Sequence, residues 1–210
     1  LAIYEKTPGP DHPQTAIAMN NLAEVLANIP ERQAEAESLY KQALAINEKV
    51  FGPDHPNVAL LLNNLGELYR KQGKYDDAEP VHKRALTIWE NTLGPDHPNV
   101  AESLNNLAAL YCLQKQYAEA EPLYKRAITI AEKSFGTEHL TVAQFVSNLA
   151  ELYYHQRQYT ETEALLKRAL AMREKTGANW ILTTRIEHHA VSHTASQLKE
   201  YYGFQVEWLD

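Results

Sequence analysis

The sequence predicts an all-α fold of antiparallel helix hairpins that pack side by side. Two observations predict it. A five-residue pattern that starts with glycine recurs with a period of 42 or 43 residues. Each period also contains two stretches whose apolar residues follow the three-and-four spacing of a helix face. One hairpin cannot bury its apolar faces alone, so neighbouring hairpins must stack.

The recurring pattern marks where each unit begins. It reads Gly-Pro-Asp-His-Pro at Gly9, Gly52 and Gly94, and Gly-Thr-Glu-His-Leu at Gly136. Eight residues after each histidine comes Asn-Asn-Leu, or Ser-Asn-Leu in the fourth unit. Proline suits the first turn of a helix, and the Asp or His before it can cap the free amides. The extra residue of the first unit is expected around residues 28–30.

Each unit predicts two helices, most clearly in the second unit. Its first helix should end at Gly73, and its second should run from about Tyr75 to the Gly94-Pro95 pair. The buried face of the first helix is predicted to carry Val58, Leu62, Leu65, Leu68 and Tyr69. The buried faces of the second helices are predicted to carry Ala78, Val81, Ala85, Ile88 and Trp89, then Tyr117, Ala120, Leu123, Ala127 and Ile130, then Tyr159, Thr162, Leu165, Ala169 and Met172.

Small residues recur where two helices must approach closely. They are Gly66, Ala108 and Ala150 in the first helices and Ala85, Ala127 and Ala169 in the second. This pattern, with a tyrosine three places after the small residue and a Gly/Lys-Tyr turn, resembles the tetratricopeptide repeat. The 42-residue period, with G-P-D-H-P-x-V-A and N-N-L-A-x-L-Y, resembles kinesin light chains and their bacterial relatives over residues 1–176.

The resemblance implies a right-handed superhelix, or solenoid, of such hairpins. It places the end of a truncated upstream repeat helix at residues 1–8, where Leu1–Lys6 aligns with Leu44–Lys49. Four repeats follow at 9–51, 52–93, 94–135 and 136–176. Residues 177–210 are then expected to form a C-terminal capping helix and tail.

The resemblance also implies that the first helices line a concave groove that holds a peptide of a partner protein. The predicted peptide-binding residues are Asn20, Asn63, Asn105, Ser147, Glu24, Glu67, Leu60, Arg70, Lys71, Leu113, Tyr154 and His155. An asparagine at one register can grip a peptide backbone, because its amide both donates and accepts. The alternative role is a hydrogen bond between adjacent helices. That structural role is preferred for the second asparagines, Asn21, Asn64, Asn106 and Asn148.

The charge of the ligand stays open. Kinesin light chains favour acidic peptides that contain tryptophan and bind them with basic groove residues. This chain has Arg70 and Lys71 in the corresponding places. It also has acidic residues in the groove positions, namely Glu24, Glu67, Glu102 and Glu151. A mixed or basic ligand is therefore equally consistent with the sequence.

Composition argues against other functions. The net charge is −7, and no basic cluster suggests nucleic-acid binding. No apolar run is long enough to cross a membrane. The single cysteine, Cys112, favours a reducing, cytoplasmic setting and lacks an activating base for catalysis. No phosphate-binding loop is present, and we predict no cofactor and no enzymatic activity.

The histidines are the remaining candidates for a metal site. The loop histidines lie one repeat apart and cannot converge on one ion, so they are expected to act in turns or caps. His189 and His193 are four residues apart, hence on one face of a helix, and could hold zinc with Glu187 as a further ligand. A surface helix that carries His188, His189 and His193 is the preferred reading.

The C-terminal segment lacks the period. Residues 183–202 are predicted to form a helix that caps the last hairpin. The final residues, Val206 to Asp210, resemble the acidic, tryptophan-containing peptides that kinesin light chains bind. They could occupy their own groove and act as an autoinhibitor, or occupy a neighbour's groove and clasp a homo-oligomer. The preferred alternative is that Phe204 and Trp208 pack on the cap or that the segment is disordered.

The predicted function is a cytoplasmic protein-interaction scaffold or adaptor, with a protein or peptide as ligand. Two alternatives stay open. The stack could be a structural spacer or oligomerisation arm, or it could be the regulatory sensor arm of a larger multidomain protein.

Overall fold

The computed structural model describes residues 12–175, and in this range the chain is α-helical without strands. A short 3-10 helix, Pro30–Arg32, lies at the place expected for the extra residue of the first unit. The α-helices are α1 Pro13–Leu26, α2 Gln33–Phe51, α3 Pro56–Lys71, α4 Tyr75–Leu93, α5 Pro98–Leu113, α6 Tyr117–Phe135, α7 Leu140–His155 and α8 Tyr159–Lys175. The predicted pairs of helices are confirmed.

All four first helices begin with the same histidine cap. His12, His55, His97 and His139 each accept a hydrogen bond at Nδ1 from the backbone N–H two residues later, at 3.1–3.2 Å. This bond satisfies one of the amides that the first turn leaves free. The predicted cap role is therefore confirmed. The ring of His55 also stacks on Phe51 at 4.6 Å, which ties the start of α3 to the end of α2.

Glycines with positive φ end the second helices. Gly94 has φ 89° and ψ 159°, and Gly52 has nearly the same values. This region is open almost only to glycine. The turns inside the hairpins need a milder conformation, with φ 73° at Gly73 and about 60° at Lys115 and Arg157. Residues with side chains occupy two of these turns, so their geometry is less restrictive.

The chain divides into two compact units, Leu1–Ser134 and Phe135–Asp210. In the first unit α1 packs on α2, α2 on α3, α3 on α4 and α4 on α5, and α3 also touches α5. In the second unit α7 packs on α8. The predicted core face of α3 is confirmed, since Val58, Leu62, Leu65, Leu68 and Tyr69 are all buried.

The predicted faces of the second helices need a correction. Tyr159 is exposed because it stands at the first residue of α8, and its ring lies edge-on to that of Tyr154 with centroids 6.0 Å apart. Val81, Leu123 and Leu165 are half-buried rather than buried. The position after Val81 points into the core instead. The buried residues there are Tyr40, His82 and Tyr124, one in each of α2, α4 and α6.

The outer side of α1 is apolar and uncovered within residues 12–175. Leu22 is 48% exposed, whereas Leu65, its equivalent in α3, is 3% exposed. Val25 is likewise exposed, and its equivalent Leu68 is buried. The difference arises because α2 covers α3, and within the described range no helix stands before α1.

The glycine geometry yields a stability prediction. Gly94→Ala should lower the free energy of unfolding by about 1–3 kcal/mol, because alanine strongly disfavours the conformation of Gly94. A Cβ at this position would meet no atom within 4 Å, so the loss is conformational and not steric. Gly73→Ala is the control and should cost about 1 kcal/mol. Urea unfolding measures both, and equal losses would contradict the assignment.

Candidate protein-binding face

Polar side chains connect the three first helices of the first unit. Asn64 Nδ2 of α3 donates to Asn20 Oδ1 of α1 at 2.8 Å. Asn63 Nδ2 of α3 donates to Ser103 Oγ of α5 at 3.1 Å. These bonds hold α1, α3 and α5 side by side. We call the surface of these helices beside the first asparagines the ladder face; its residues are Ile17, Asn20, Glu24, Leu60, Asn63, Glu67, Arg70, Lys71, Glu102, Asn105 and Leu113.

The first asparagines lie deep in the ladder face. Asn63 and Asn105 are only 8% and 7% exposed, and Asn20 is half-buried. Asn63 also uses its amide oxygen, which lies 3.3 Å from His82 Nδ1. Asn20 Nδ2 donates to Asn21 Oδ1 at 3.3 Å. Asn20 and Asn63 thus make bonds between helices, the alternative role for this register, and Asn64 makes the structural bond predicted for it.

The exposed part of the ladder face is partly apolar. Ile17 is 57% exposed, Leu60 is 48% exposed and Leu113 is 41% exposed. Ile17 and Leu60 stand three residues before the first asparagine of their helices, so they occupy equivalent places on α1 and α3. Apolar side chains at equivalent exposed places can contact a ligand that runs across the helices.

The cations of the ladder face are engaged within it. Arg70 Nε donates to Glu67 Oε2 at 2.7 Å, and Arg70 Nη2 donates to Glu67 Oε1 at 2.5 Å. The hydrogen bond to Glu67 raises the pKa of Arg70. Lys71 Nζ donates to Asn28 Oδ1 at 2.8 Å and so links α3 to the residues after α1. Glu24 and Glu102 are exposed, and neither forms an ion pair with another residue between 12 and 175.

The predicted residues of the second unit lie on α7. Ser147 is buried, and its hydroxyl donates to the Ala143 carbonyl at 2.8 Å. Tyr154 is half-buried and meets the ring of His155 edge-on, with centroids 5.9 Å apart. His155 is exposed, with Nε2 3.8 Å from Glu151 Oε1. Of these residues, Tyr154 and His155 are accessible at the end of α7.

A buried histidine under the ladder face escaped the sequence analysis. His82 of α4 is fully buried, and its ring fills the space beside Gly66 of α3. Because Asn63 donates through Nδ2, its oxygen faces His82 and fixes the neutral histidine with a proton on Nδ1. Burial lowers the pKa of His82 to about 4, and the charge of Arg70 acts in the same direction against that of Glu67.

The sequence did contain a signal for this histidine. In the equivalent places of the neighbouring repeats, tyrosines at 40 and 124 occur with alanines at 23 and 108. Only the second repeat, residues 52–93, pairs histidine with glycine. The smaller glycine at 66 leaves room for the imidazole ring.

Several other predictions fall on particular parts of the chain. Between residues 12 and 175 no three His, Cys, Asp or Glu side chains are grouped to hold a metal ion. No helix in the same range has the length and apolar character needed to span a bilayer. Cys112, the single cysteine of the chain, is half-buried. The N-terminal Leu1–Lys6, the histidines at 188, 189 and 193, Glu187, the helix predicted at 183–202 and the tail from Val206 to Asp210 lie outside the described residues.

Comparison with known proteins identifies the repeats. The tetratricopeptide repeat family matches residues 1–49, 31–88, 57–133 and 100–175. No curated protein matches the sequence. Solved structures resemble the fold, among them BtubC (BKLC) from P. vanneervenii. It is 22% identical, has a TM-score of 0.71, and the match covers 88% of this chain and 72% of that one.

The second structure is a Podosopora anserina protein of kinesin light chain type with nearly identical TPR-like repeats. It is 27% identical with a TM-score of 0.64, and the match covers 83% of this chain and 82% of that one. The third is aspartyl phosphate phosphatase F from Bacillus subtilis, at 18% identity and a TM-score of 0.69, with 80% and 42% covered. The first and third share only the fold. These comparisons confirm the predicted fold class, an all-α solenoid of antiparallel hairpins.

The contact between Gly66 and His82 predicts a paired effect. A Cβ on residue 66 would lie 2.7 Å from His82 Cε1 and Nε2, and the ring is fully buried. Gly66→Ala should therefore destabilise the fold by about 1–3 kcal/mol. Adding His82→Tyr should recover part of this loss, because alanine and tyrosine occupy these places in two neighbouring units. Additive losses in urea unfolding would contradict the shared cavity.

The pKa of His82 predicts a pH dependence of stability. The folded chain keeps this histidine neutral down to about pH 4, whereas an unfolded histidine binds a proton near pH 6.5. Stability is therefore complete above about pH 6.5 and should fall by about 3 kcal/mol as the pH drops to about 4. Urea unfolding of wild type and His82→Tyr at about pH 7 and about pH 4.5 isolates this contribution from that of other groups. An identical pH dependence in both proteins would contradict it.

Proposed function

We propose that this chain, which belongs to the tetratricopeptide repeat family and is of the kinesin light chain type, holds a peptide segment of a partner protein on the ladder face. The repeat fold is generally a non-catalytic scaffold for protein–protein interactions. The family therefore indicates that the chain binds a protein partner. We assign the ladder face as the surface that binds it.

The interhelical bonds support this face most directly. Because Asn64 bonds to Asn20 and Asn63 bonds to Ser103, the first helices of the first unit keep a common register. Equivalent exposed side chains then form rows across the helices instead of isolated spots. A ligand that crosses the helices meets one repeating environment, which suits an extended peptide.

The asparagines and the exposed apolar side chains have different roles on this face, because the asparagines lie deeper. Asn20 is half-buried and retains an accessible edge for a peptide backbone. Asn63 fixes the register from below through its bond to Ser103, and the exposed side chains Leu60 and Leu113 supply contact area. On the second unit, Tyr154 and His155 offer an aromatic and a hydrogen-bonding contact of their own. Affinity would then come from many modest contacts.

The proposal also includes a cellular compartment and a class of partner. A single thiol and no internal disulfide suit a reducing compartment, so we place the protein in the cytoplasm. The net charge of −7 disfavours a phosphate backbone as ligand. The spacer, oligomerisation-arm and sensor-arm alternatives stay predictions.

A peptide selection tests the proposal. Peptides are selected from a displayed random library on the purified chain, and their affinities are measured by fluorescence anisotropy. Leu60→Asp should weaken the selected peptides at least about tenfold, because the carboxylate replaces an apolar contact on the face. Val50→Asp is the matched control, since Val50 is also exposed and apolar but lies on α2.

The outcomes separate three cases. Loss with Leu60→Asp and none with Val50→Asp supports the ladder face. Wild-type affinity in both variants places the binding surface elsewhere. Failure to select any peptide contradicts peptide binding itself.

A further inference from the structure

We infer that the ladder face selects a polyproline II segment with apolar side chains at two positions three residues apart and a Lys or Arg three residues beyond. This inference rests on the proposed function and adds the chemistry of the ligand. It is carried by one row of equivalent residues, by the spacing of the helices and by the pairing of the charges.

The row consists of Ile17 on α1, Leu60 on α3 and Glu102 on α5. Each residue stands three places before the first asparagine of its helix, so the three are equivalent in the common register. All three side chains are exposed. The row thus presents two apolar contacts and then one carboxylate to a ligand that crosses from α1 to α5.

The spacing of the row fits one backbone conformation. The bonds from Asn64 to Asn20 and from Asn63 to Ser103 put α1 beside α3 and α3 beside α5, and helices in side-chain contact have axes about 8–10 Å apart. A polyproline II chain advances about 3.1 Å per residue with three residues per turn, so every third side chain points the same way about 9 Å further on. A β-strand turns every third side chain to the opposite face. The polyproline II form also makes no internal hydrogen bonds, which leaves its backbone free for Asn20.

The charged residues of the ladder face determine which charge the third position of the ligand should carry. Arg70 is held in a two-bond ion pair by Glu67, so it offers little attraction to an acidic ligand. Lys71 donates to Asn28 and follows Leu60 by eleven residues, about 16 Å along the helix. Within residues 12–175 Glu102 has no ion-pair partner. A cation at the third position would pair with it, and an anion there would be repelled.

Four labelled peptides test the pattern by fluorescence anisotropy. The first is Leu-Pro-Ser-Leu-Pro-Ser-Lys, and the second is its reverse, because the row alone does not set the chain direction. The third ends in Glu instead of Lys. The fourth, Leu-Leu-Pro-Ser-Pro-Ser-Lys, keeps the composition and loses the spacing. One of the first two should bind at least about fivefold more tightly than the third and the fourth.

A charge reversal on the protein tests the role of Glu102. Glu102→Lys should invert the preference between the Lys and Glu peptides. Glu119→Lys is the matched control, because Glu119 is an exposed carboxylate on α6 without an ion pair in the described range. The control should keep the wild-type preference.

The failures of the two proposals are distinguishable. A preference for the Glu peptide, or one that Glu102→Lys leaves unchanged, overturns the assigned ligand chemistry. Equal affinity for the spaced and unspaced peptides overturns the three-residue pattern. If library peptides bind in a Leu60-dependent way and none of the four probes binds, only the ligand chemistry is wrong. If no peptide of any kind binds, the proposed function fails with it.

Discussion

The register between neighbouring first helices is the constraint on which the rest of this structure depends. Each hairpin needs the next one to bury its apolar faces, and a one-place slip would expose residues such as Leu65 and Leu68. Apolar packing alone opposes such slips only in part, because leucines of similar size can exchange contacts. The bonds from Asn64 to Asn20 and from Asn63 to Ser103 penalise them, since a slip would leave buried amides without partners.

The buried polar groups beneath the ladder face form a short chain across three helices. His82 of α4 donates to Asn63 of α3, and Asn63 donates to Ser103 of α5. A connected network of this kind specifies one arrangement more sharply than it adds stability. Its weak point is His82 Nε2, which has no hydrogen-bond partner among the described residues. The neutral imidazole lowers that cost, because an orphaned neutral nitrogen is less unfavourable than a buried charge.

The repeats share one scaffold but not one surface. Caps, turns and small residues recur because each unit solves the same folding problem. The exposed residues of equivalent places differ, as Ile17, Leu60 and Glu102 do. Variation in these places changes no core contact, so the exposed surface can differ between repeats while the fold stays the same. The ion pair between Arg70 and Glu67 is a second example. It engages the charge of a cation on the ladder face and leaves α3 intact.

The sequence by itself determined the period, the helix pairs, the histidine caps and the buried face of α3, because these depend on residues close together in the chain. By resemblance it also predicted groove residues such as Leu60 and Glu102. Only the tertiary structure decided what those residues are free to do. Asn63 meets His82 nineteen residues away and Ser103 forty residues away, and Lys71 meets Asn28 forty-three residues away. Such contacts bury or engage a side chain through packing between helices, which no local pattern encodes. The glycine at 66 was the one local sign of a different neighbour, and the packed helices were needed to show that the neighbour is His82.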